Sequence, residues 1–281
     1  MPIKGYSYRL DIWKSICDKR NFKYTTNTNI PSYLIIHLSK DYTFYGRKDS
    51  FNSPISSTLT KHKSLTYSLL KNSDIPIPKN IIITKDELNK DLGDKIKANH
   101  LDFPLVIKPS NTDNSVHVYI VKDLVGLIDK IHTVFQDKNY DILEIIIQEY
   151  INIQKEYRVL FFNKNISHNL SNDPIILLAY NKLRLNQRKN SENYNIANEE
   201  NAHYEIVASN TFLKKFKVIV DRVVECIPGL GWAGIDIVED INGKLWFLEV
   251  NSDPGFKLLR KLHGDKKIEE IYNKMMDYMI G

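Results

Sequence analysis

The sequence predicts an α+β protein built on antiparallel sheets, and two strand pairs and the helices between them carry that prediction. Residues 103–109 and 116–121 read as a strand and its return across a polar turn. Residues 234–238 and 245–250 read as strands flanking Asn242-Gly243, the strongest short-range hairpin signal a sequence can show. Helical apolar spacing, with i, i+3 and i+4 repeats, occupies the segments between them. A chain of 281 residues, 42% hydrophobic and 26% charged, is long enough for two or three packed layers, which excludes a disordered or fibrous chain.

The first 60 or so residues hold one probable helix at 10–17 and one apolar strand at 33–38, a short N-terminal α/β module over residues 1–58. Residues 60–71 form a helix with Leu65, Leu69 and Leu70 on one face, ended by Pro76 and Pro78. The 103–121 pair follows, then a helix at 124–135, a strand at 143–147, a connector at 148–152 and a strand at 157–162. The Asn-rich run 181–201 is too polar to pack and is expected to be a mobile loop. A helix at 210–226 turns Phe212, Phe216, Ile219, Val220 and Val223 inward, and a last helix covers 268–279. The expected units are 1–58, 59–147 and 148–281.

No apolar run reaches the length of about 18 residues that a membrane span needs, and the N-terminus lacks the apolar core of a secretory signal. Cys17 and Cys226 are too few for a disulfide framework or a cysteine-built metal site. A soluble, cytoplasmic protein that engages no membrane is expected. The net charge of +5 is dispersed along the chain rather than gathered into a block, so nothing supports nucleic-acid binding.

If Asn242 and Gly243 form a two-residue turn, Ile241 faces Lys244, Val238 faces Phe247, Ile237 faces Leu248, and Asp236 faces Glu249. Ile235, Ile237, Leu248 and Val250 then share an apolar face, while Asp236, Val238, Phe247, Glu249 and Asn251 share the other. Carboxylates directly opposite one another repel, and something must neutralise them. A hard dication taking oxygens from Asp236, Glu249 and the Asn251 amide, completed by water and phosphate, would do so. Val238 and Phe247 would wall such a site.

Three separated segments carry a resemblance: FPLVIKPSNTDNSVHVYIV, IIIQEYINIQKEYRV and GWAGIDIVEDINGKLWFLEVNSDPGF. In this order and spacing the chain resembles the ATP-grasp superfamily over roughly residues 55–260. The resemblance implies the ATP-grasp fold, two α+β subdomains clasping ATP between antiparallel sheets. It also implies a carboxylate–amine ligase that forms an amide through an acylphosphate. Lys108 and Lys63 would contact the phosphates, Gln148, Glu149 and Ile151 would border adenine, and Glu156 would bind the ribose hydroxyls. Asp236, Glu249 and Asn251 match the ligands of magnesium or manganese, with Val238 and Phe247 beside the nucleotide.

The phosphate loop has no glycine, which leaves Ser115 as its likeliest contact. Arg158, Arg184 and Arg188 are the candidates, beside Lys108, for a cation at the reacting oxyanion. Gly234 stands where D-alanine–D-alanine ligases carry an arginine, which points away from that substrate class, and the order of the motifs resembles amino-acid or peptide ligases such as the ATP-grasp part of cyanophycin synthetase or the ligases that extend protein tails. The substrates would be a small-molecule or peptide carboxylate and an amine, and a homodimer is the assembly such enzymes suggest. Two alternatives stay open: an inositol phosphate kinase-like transfer to a hydroxyl, and a scaffold that binds nucleotide without turnover.

Overall fold

The computed structural model describes residues 8–27, 33–46, 48–87, 91–113, 115–164, 173–184 and 202–280. Helix α1 (Tyr8–Arg20) buries Leu10, Trp13, Ile16 and Cys17 at helical spacing. It packs beside a four-stranded antiparallel meander, β1 (Tyr24–Asn27), β2 (Tyr33–His37), β3 (Asp41–Tyr45) and β4 (Lys48–Asp49). Leu34, Ile36, Tyr42 and Phe44 alternate inward along β2 and β3, as period-two burial requires. The module's strands all run antiparallel.

Ser53 then caps α2 (Pro54–Leu59), its hydroxyl accepting from the Ser56 N–H, and α3 (Lys63–Leu70) follows. The expected leucine face of α3 is corrected by the structure: Leu65 and Leu69 are exposed, and Ser64, Tyr67 and Leu70 are buried. The reason is polar. The Ser64 hydroxyl donates to Glu144 Oε2 at 2.5 Å, and Tyr67 donates to the Leu248 carbonyl at 2.8 Å, so this helix is seated by hydrogen bonds as much as by apolar burial.

The second sheet is assembled from β5 (Asn80–Thr84), helix α4 (Leu92–Ala98), β6 (Leu105–Pro109), β7 (Tyr119–Val121), helix α5 (Leu124–Gln136) and β8 (Glu144–Glu149). Its four strands run in the order β5-β8-β6-β7, every neighbour antiparallel. Ile81, Ile83, Leu105, Ile107, Ile145 and Ile147 pack one face against Ile96 of α4 and Leu127, Ile131 and Val134 of α5. Alternation sends Lys108, Ile146 and Gln148 to the opposite face. Gln148 and Glu149 thus end a strand, and the expected connector shrinks to residues 150–152.

The third sheet has five antiparallel strands ordered β11-β10-β9-β12-β13. They are β9 (Ile153–Phe162), β10 (Ile175–Arg184), β11 (Ala202–Ile206), β12 (Trp232–Asp240) and β13 (Leu245–Asn251), with α6 (Asn210–Cys226) and α7 (Lys257–Ile280) beside them. Strand β10 corrects the loop expected at 181–201: residues 181–184 continue an apolar strand and pair with β11, Asn181 pairing with β9 as well. Residues 185–201 lie outside the described residues. Helix α6 covers Tyr157, Val159, Phe161, Ile235 and Ile237 on one sheet face. On the other face Leu160, Phe162, Leu178 and Trp232 pack under α7 and the N-terminal module. That second face carries Glu156, Arg158, Lys182 and Asp236 along its remaining half.

Among the described residues no helix is long and apolar enough to cross a membrane. Trp13 joins the N-terminal module to α7, its ring flat against Tyr272 with centroids 4.5 Å apart and Phe44 at 5.2 Å. Trp13→Ala is expected to lower stability by about 3–5 kcal/mol, the usual cost of truncating a buried large aromatic, as read by denaturant unfolding.

Candidate active site

The hairpin of β12 and β13 is tighter in one place and looser in another than the sequence suggests. Asp240 N–H donates to the Lys244 carbonyl at 3.0 Å, so the turn has three residues, 241–243, rather than two. Gly243 takes a φ of 78°, and the Asp240 carboxylate accepts from the N–H groups of Asn242 and Lys244. The register below the turn is therefore shifted by one: Ile237 pairs with Phe247 and Val238 with Trp246. A bulge at Leu248 shifts it back, and Asp236 faces Glu249 with Gly234 opposite Asn251, as the sequence suggests.

The bulge corrects one expected contact. Phe247 is fully buried in the core with Ile235 and Ile237, so it does not line the acidic face. Val238, two residues from Asp236, stays on that face and is buried.

The expected repulsion between the acids is relieved by the chain itself. Arg158 on β9 pairs across the sheet with Asp236 and donates from Nε at 2.5 Å and Nη2 at 2.8 Å, a two-pronged charge-assisted contact. Lys182 on β10 reaches Asp236 Oδ1 at 3.1 Å and also pairs with Glu156. Lys63 lies 3.5 Å from Glu249 Oε2. Burial alone would raise the Asp236 pKa, but Arg158 and Lys182 hold it below the usual carboxylate range. Burial moves Glu156 upward despite Lys182. Its Oε2 atom is buried and has no hydrogen-bond partner.

Gly234 makes the arginine's position possible. A Cβ there would stand 3.1 Å from Arg158 Cδ, from Leu160 Cδ2 and from Pro254 Cβ, so a side chain would crowd all three and make them give by a few tenths of an ångström.

Lys108, the penultimate residue of β6, is 8% exposed and donates to the Tyr67 hydroxyl at 2.8 Å. Burial, with Lys63 nearby, pushes its pKa down to about 7, against a smaller opposing pull from Glu249. Lys63 donates to the Thr112 carbonyl at 2.6 Å and so ties the loop after β6 to the hairpin acid. Gln148 Oε1 lies 3.3 Å from the Tyr67 hydroxyl, Ile151 is buried in the connector that follows, and Glu149 accepts from the Lys79 N–H at 2.7 Å. Ser115 sits in the 110–118 loop with a φ of 56°.

Arg184 closes β10 opposite Ala202; its side chain and Arg188 lie outside the described residues. Among the described residues no group of three or more His, Cys, Asp and Glu side chains is gathered for a metal. The available set is two carboxylates with the Asn251 amide, whose Oδ1 also accepts from the Asp253 N–H at 2.9 Å. Lys182 and Tyr67 escaped the sequence reading. Lys182 lies inside the Asn-rich stretch, although alternation from Tyr180 along one strand face locates it, and the leucine face expected of the 60–71 helix gave Tyr67 no role.

Residues 69–262 match the family described as D-ala D-ala ligase C-terminus, and the chain belongs to that family. It is 28% identical to the D-alanine–D-alanine ligase of Buchnera aphidicola subsp. Baizongia pistaciae over 71% of this chain and 60% of that one. Its likeness to the Buchnera aphidicola subsp. Schizaphis graminum enzyme of the same name is 27%, over 80% and 72%. The chain thus spans about three fifths of the first of these relatives. Among solved structures, the VanG D-Ala:D-Ser ligase of Enterococcus faecalis superposes with a TM-score of 0.59 at 19% identity, over 79% of this chain and 63% of that one. The Bacillus anthracis D-alanine–D-alanine ligase gives 0.57 at 22%, over 81% and 71%, and its structure has also been solved with ATP. The fold is therefore the expected ATP-grasp fold, and the family is that of the ligases from which Gly234 had seemed to separate the chain.

The ion pairs set different costs for the two acids. Asp236→Asn strands Arg158 in a buried site, Lys182 keeping Glu156, and is expected to lower stability by about 3–5 kcal/mol. Glu249→Gln, touching one lysine at 34% side-chain exposure, should cost less than about 1 kcal/mol. Urea unfolding of the two variants beside the parent protein measures both.

Proposed function

We propose that the chain is an ATP-dependent carboxylate–amine ligase joining two small amino acids through an acylphosphate, with release of ADP and phosphate. The convergence of two lysines with the hairpin acids carries this reading. Lys63 stands 3.5 Å from Glu249, and the charges of Lys63 and Glu249 both act on Lys108. Cations suited to a triphosphate and oxygens suited to a hard dication thus meet at one point. Family membership supports the same class, and the relatives' names make D-alanine the first amino acid to test.

The residues fit the nucleotide. Lys63 and Lys108 would hold its phosphates, Gln148, Glu149 and Ile151 would border the base, and the unpartnered Glu156 Oε2 supplies the acceptor a ribose hydroxyl needs. They also fit the metal by donor type: Glu249 and Asn251, with Asp236 behind them, are oxygen ligands of the kind magnesium or manganese takes together with water and phosphate. Bound there, the ion would neutralise phosphate charge as the carboxylate attacks.

Arg158 and Lys182, held against Asp236, keep positive charge fixed on the sheet face next to the acids. Fixed charge of this kind stabilises a developing oxyanion without reorganising at the moment of reaction. Arg158 fills this role from β9. Gly234 therefore leaves room for a guanidinium beside Asp236, and its presence does not argue against D-alanine. Arg184 is the second candidate cation.

The deciding experiment supplies ATP and magnesium with D-alanine, with L-amino acids and, separately, with inositol phosphates, and follows ADP, phosphate and product mass. Amide formation with matching phosphate release is expected, while a stably phosphorylated polyol would replace the ligase reading with a kinase. Glu249→Gln, folded, should lower kcat/KM by about 10²–10³-fold, the usual loss when one group stabilising transition-state charge is removed.

Lys108 adds a pH signature. Its pKa of about 7 in the protein alone rises beside a triphosphate, so binding takes up a proton between the two values. The group's contribution to affinity is complete below pH 7 and fades as pH rises toward the pKa of the bound state. Calorimetry of ATP binding at pH 8 in two buffers of different ionisation enthalpy should show an uptake approaching one proton, absent in Lys108→Met.

A further inference from the structure

Residues 9, 52 and 60 all precede the segment that matches the family, yet each holds the chain immediately beyond the hairpin acids. Asn52 makes the closest set of contacts. Its Oδ1 accepts from the N–H groups of Gly231 and Trp232, both at 3.0 Å, and its Nδ2 donates to the carbonyls of Trp232 at 2.8 Å and Ser252 at 3.1 Å. All four hydrogen-bonding capacities of the amide are filled, which also fixes which end is oxygen and which nitrogen. One side chain therefore bridges the residue that opens β12 and the residue that follows Asn251 at the end of β13.

Two neighbours hold the same stretch. Thr60 Oγ1 donates to Ser252 Oγ at 2.9 Å. Arg9, a buried residue in the first turn of α1, donates to Asp253 Oδ1 at 2.9 Å and to the Pro254 carbonyl at 2.6 Å. The open end of an antiparallel hairpin is where strands splay, because no further ladder bond follows. In this chain that end carries Asn251, opposite Gly234 and two residues from Glu249.

We infer that Asn52 is the positioning residue of the metal-binding hairpin, clamping its open end from the N-terminal module so that Asn251 keeps a fixed distance from Asp236 and Glu249. This rests on the assignment of those three residues to a dication taken up with ATP. Asn52 touches neither ion nor nucleotide; it acts through Ser252 and Trp232. Module and hairpin then form one functional unit, and the segment before the family match contributes geometry to the site rather than a side chain within it.

Asn52→Asp is nearly isosteric and replaces the two donors by an oxygen facing two carbonyls, while Asn52→Ala removes all four bonds. The test measures Mn2+ uptake by electron paramagnetic resonance in the presence of ATP, ATP binding without metal, and folding by circular dichroism. Both variants are expected to fold, to bind metal-free ATP as the parent does, and to hold Mn2+ at least tenfold more weakly with an altered hyperfine pattern. Parent-like Mn2+ affinity in a folded variant overturns the inference, and so does an equal loss of metal-free ATP binding, which would mark general damage. Should both variants fail to fold, Thr60→Val removes a single tie to Ser252 and should weaken Mn2+ two- to threefold; no change there overturns it. Absence of Mn2+ uptake by the parent protein sinks the site assignment itself and the clamp with it, an outcome distinct from normal parent binding with unaffected variants.

Discussion

Two carboxylates placed face to face on neighbouring strands, Asp236 buried and Glu249 partly so, demand counter-charge, and the answer to that demand organises the molecule's working face. Asp236 draws Arg158 from β9 and Lys182 from β10, while Glu249 draws Lys63 from α3. Each cation arrives from a different segment, so satisfying the acids brings together three parts of the chain that are far apart in sequence. Gly234 belongs to this arrangement because a side chain there would crowd the arginine against the sheet.

The second tie between the sheets is neutral. The Tyr67 hydroxyl donates to Leu248 of the hairpin and accepts from Lys108 of the other sheet, with its ring 6.3 Å from Phe247. A lysine enclosed in this way loses much of its preference for the charged form. The apolar core continues across the same junction, where Leu70, Ile75 and Ile146 pack into the cluster that holds Ile235 and Ile237. The site therefore sits on a seam between sheets that is joined by packing as well as by charge.

Period-two alternation along β12 and the helical spacing of α6 were readable from sequence because they depend on burial, whereas the bulge broke the alternation expected along β13. The pairing of Asp236 with Glu249 was also readable, although by a route the structure corrects: a longer turn and the bulge at Leu248 offset one another. Lys182 is masked in the sequence by the asparagine content around it, yet pairing of residues 181–184 with β11 overrides composition. The inward face of α3 was misjudged because serine and tyrosine there are stabilised by hydrogen bonds that only tertiary contact supplies. The clamp by Asn52 spans about 180 to 200 positions and has no local signature at all.

The bulge at Leu248 has an evolutionary consequence. It acts as a slip joint between the solvent-exposed tip of the hairpin and the chemistry at its base: the tip runs one step out of phase, and the joint restores phase before the acids are reached. A lineage that trims one residue from the tip can straighten the joint and leave Asp236, Glu249 and Asn251 where they stand. Length variation at this tip is thereby uncoupled from catalytic geometry, and the loop is open to selection for other purposes.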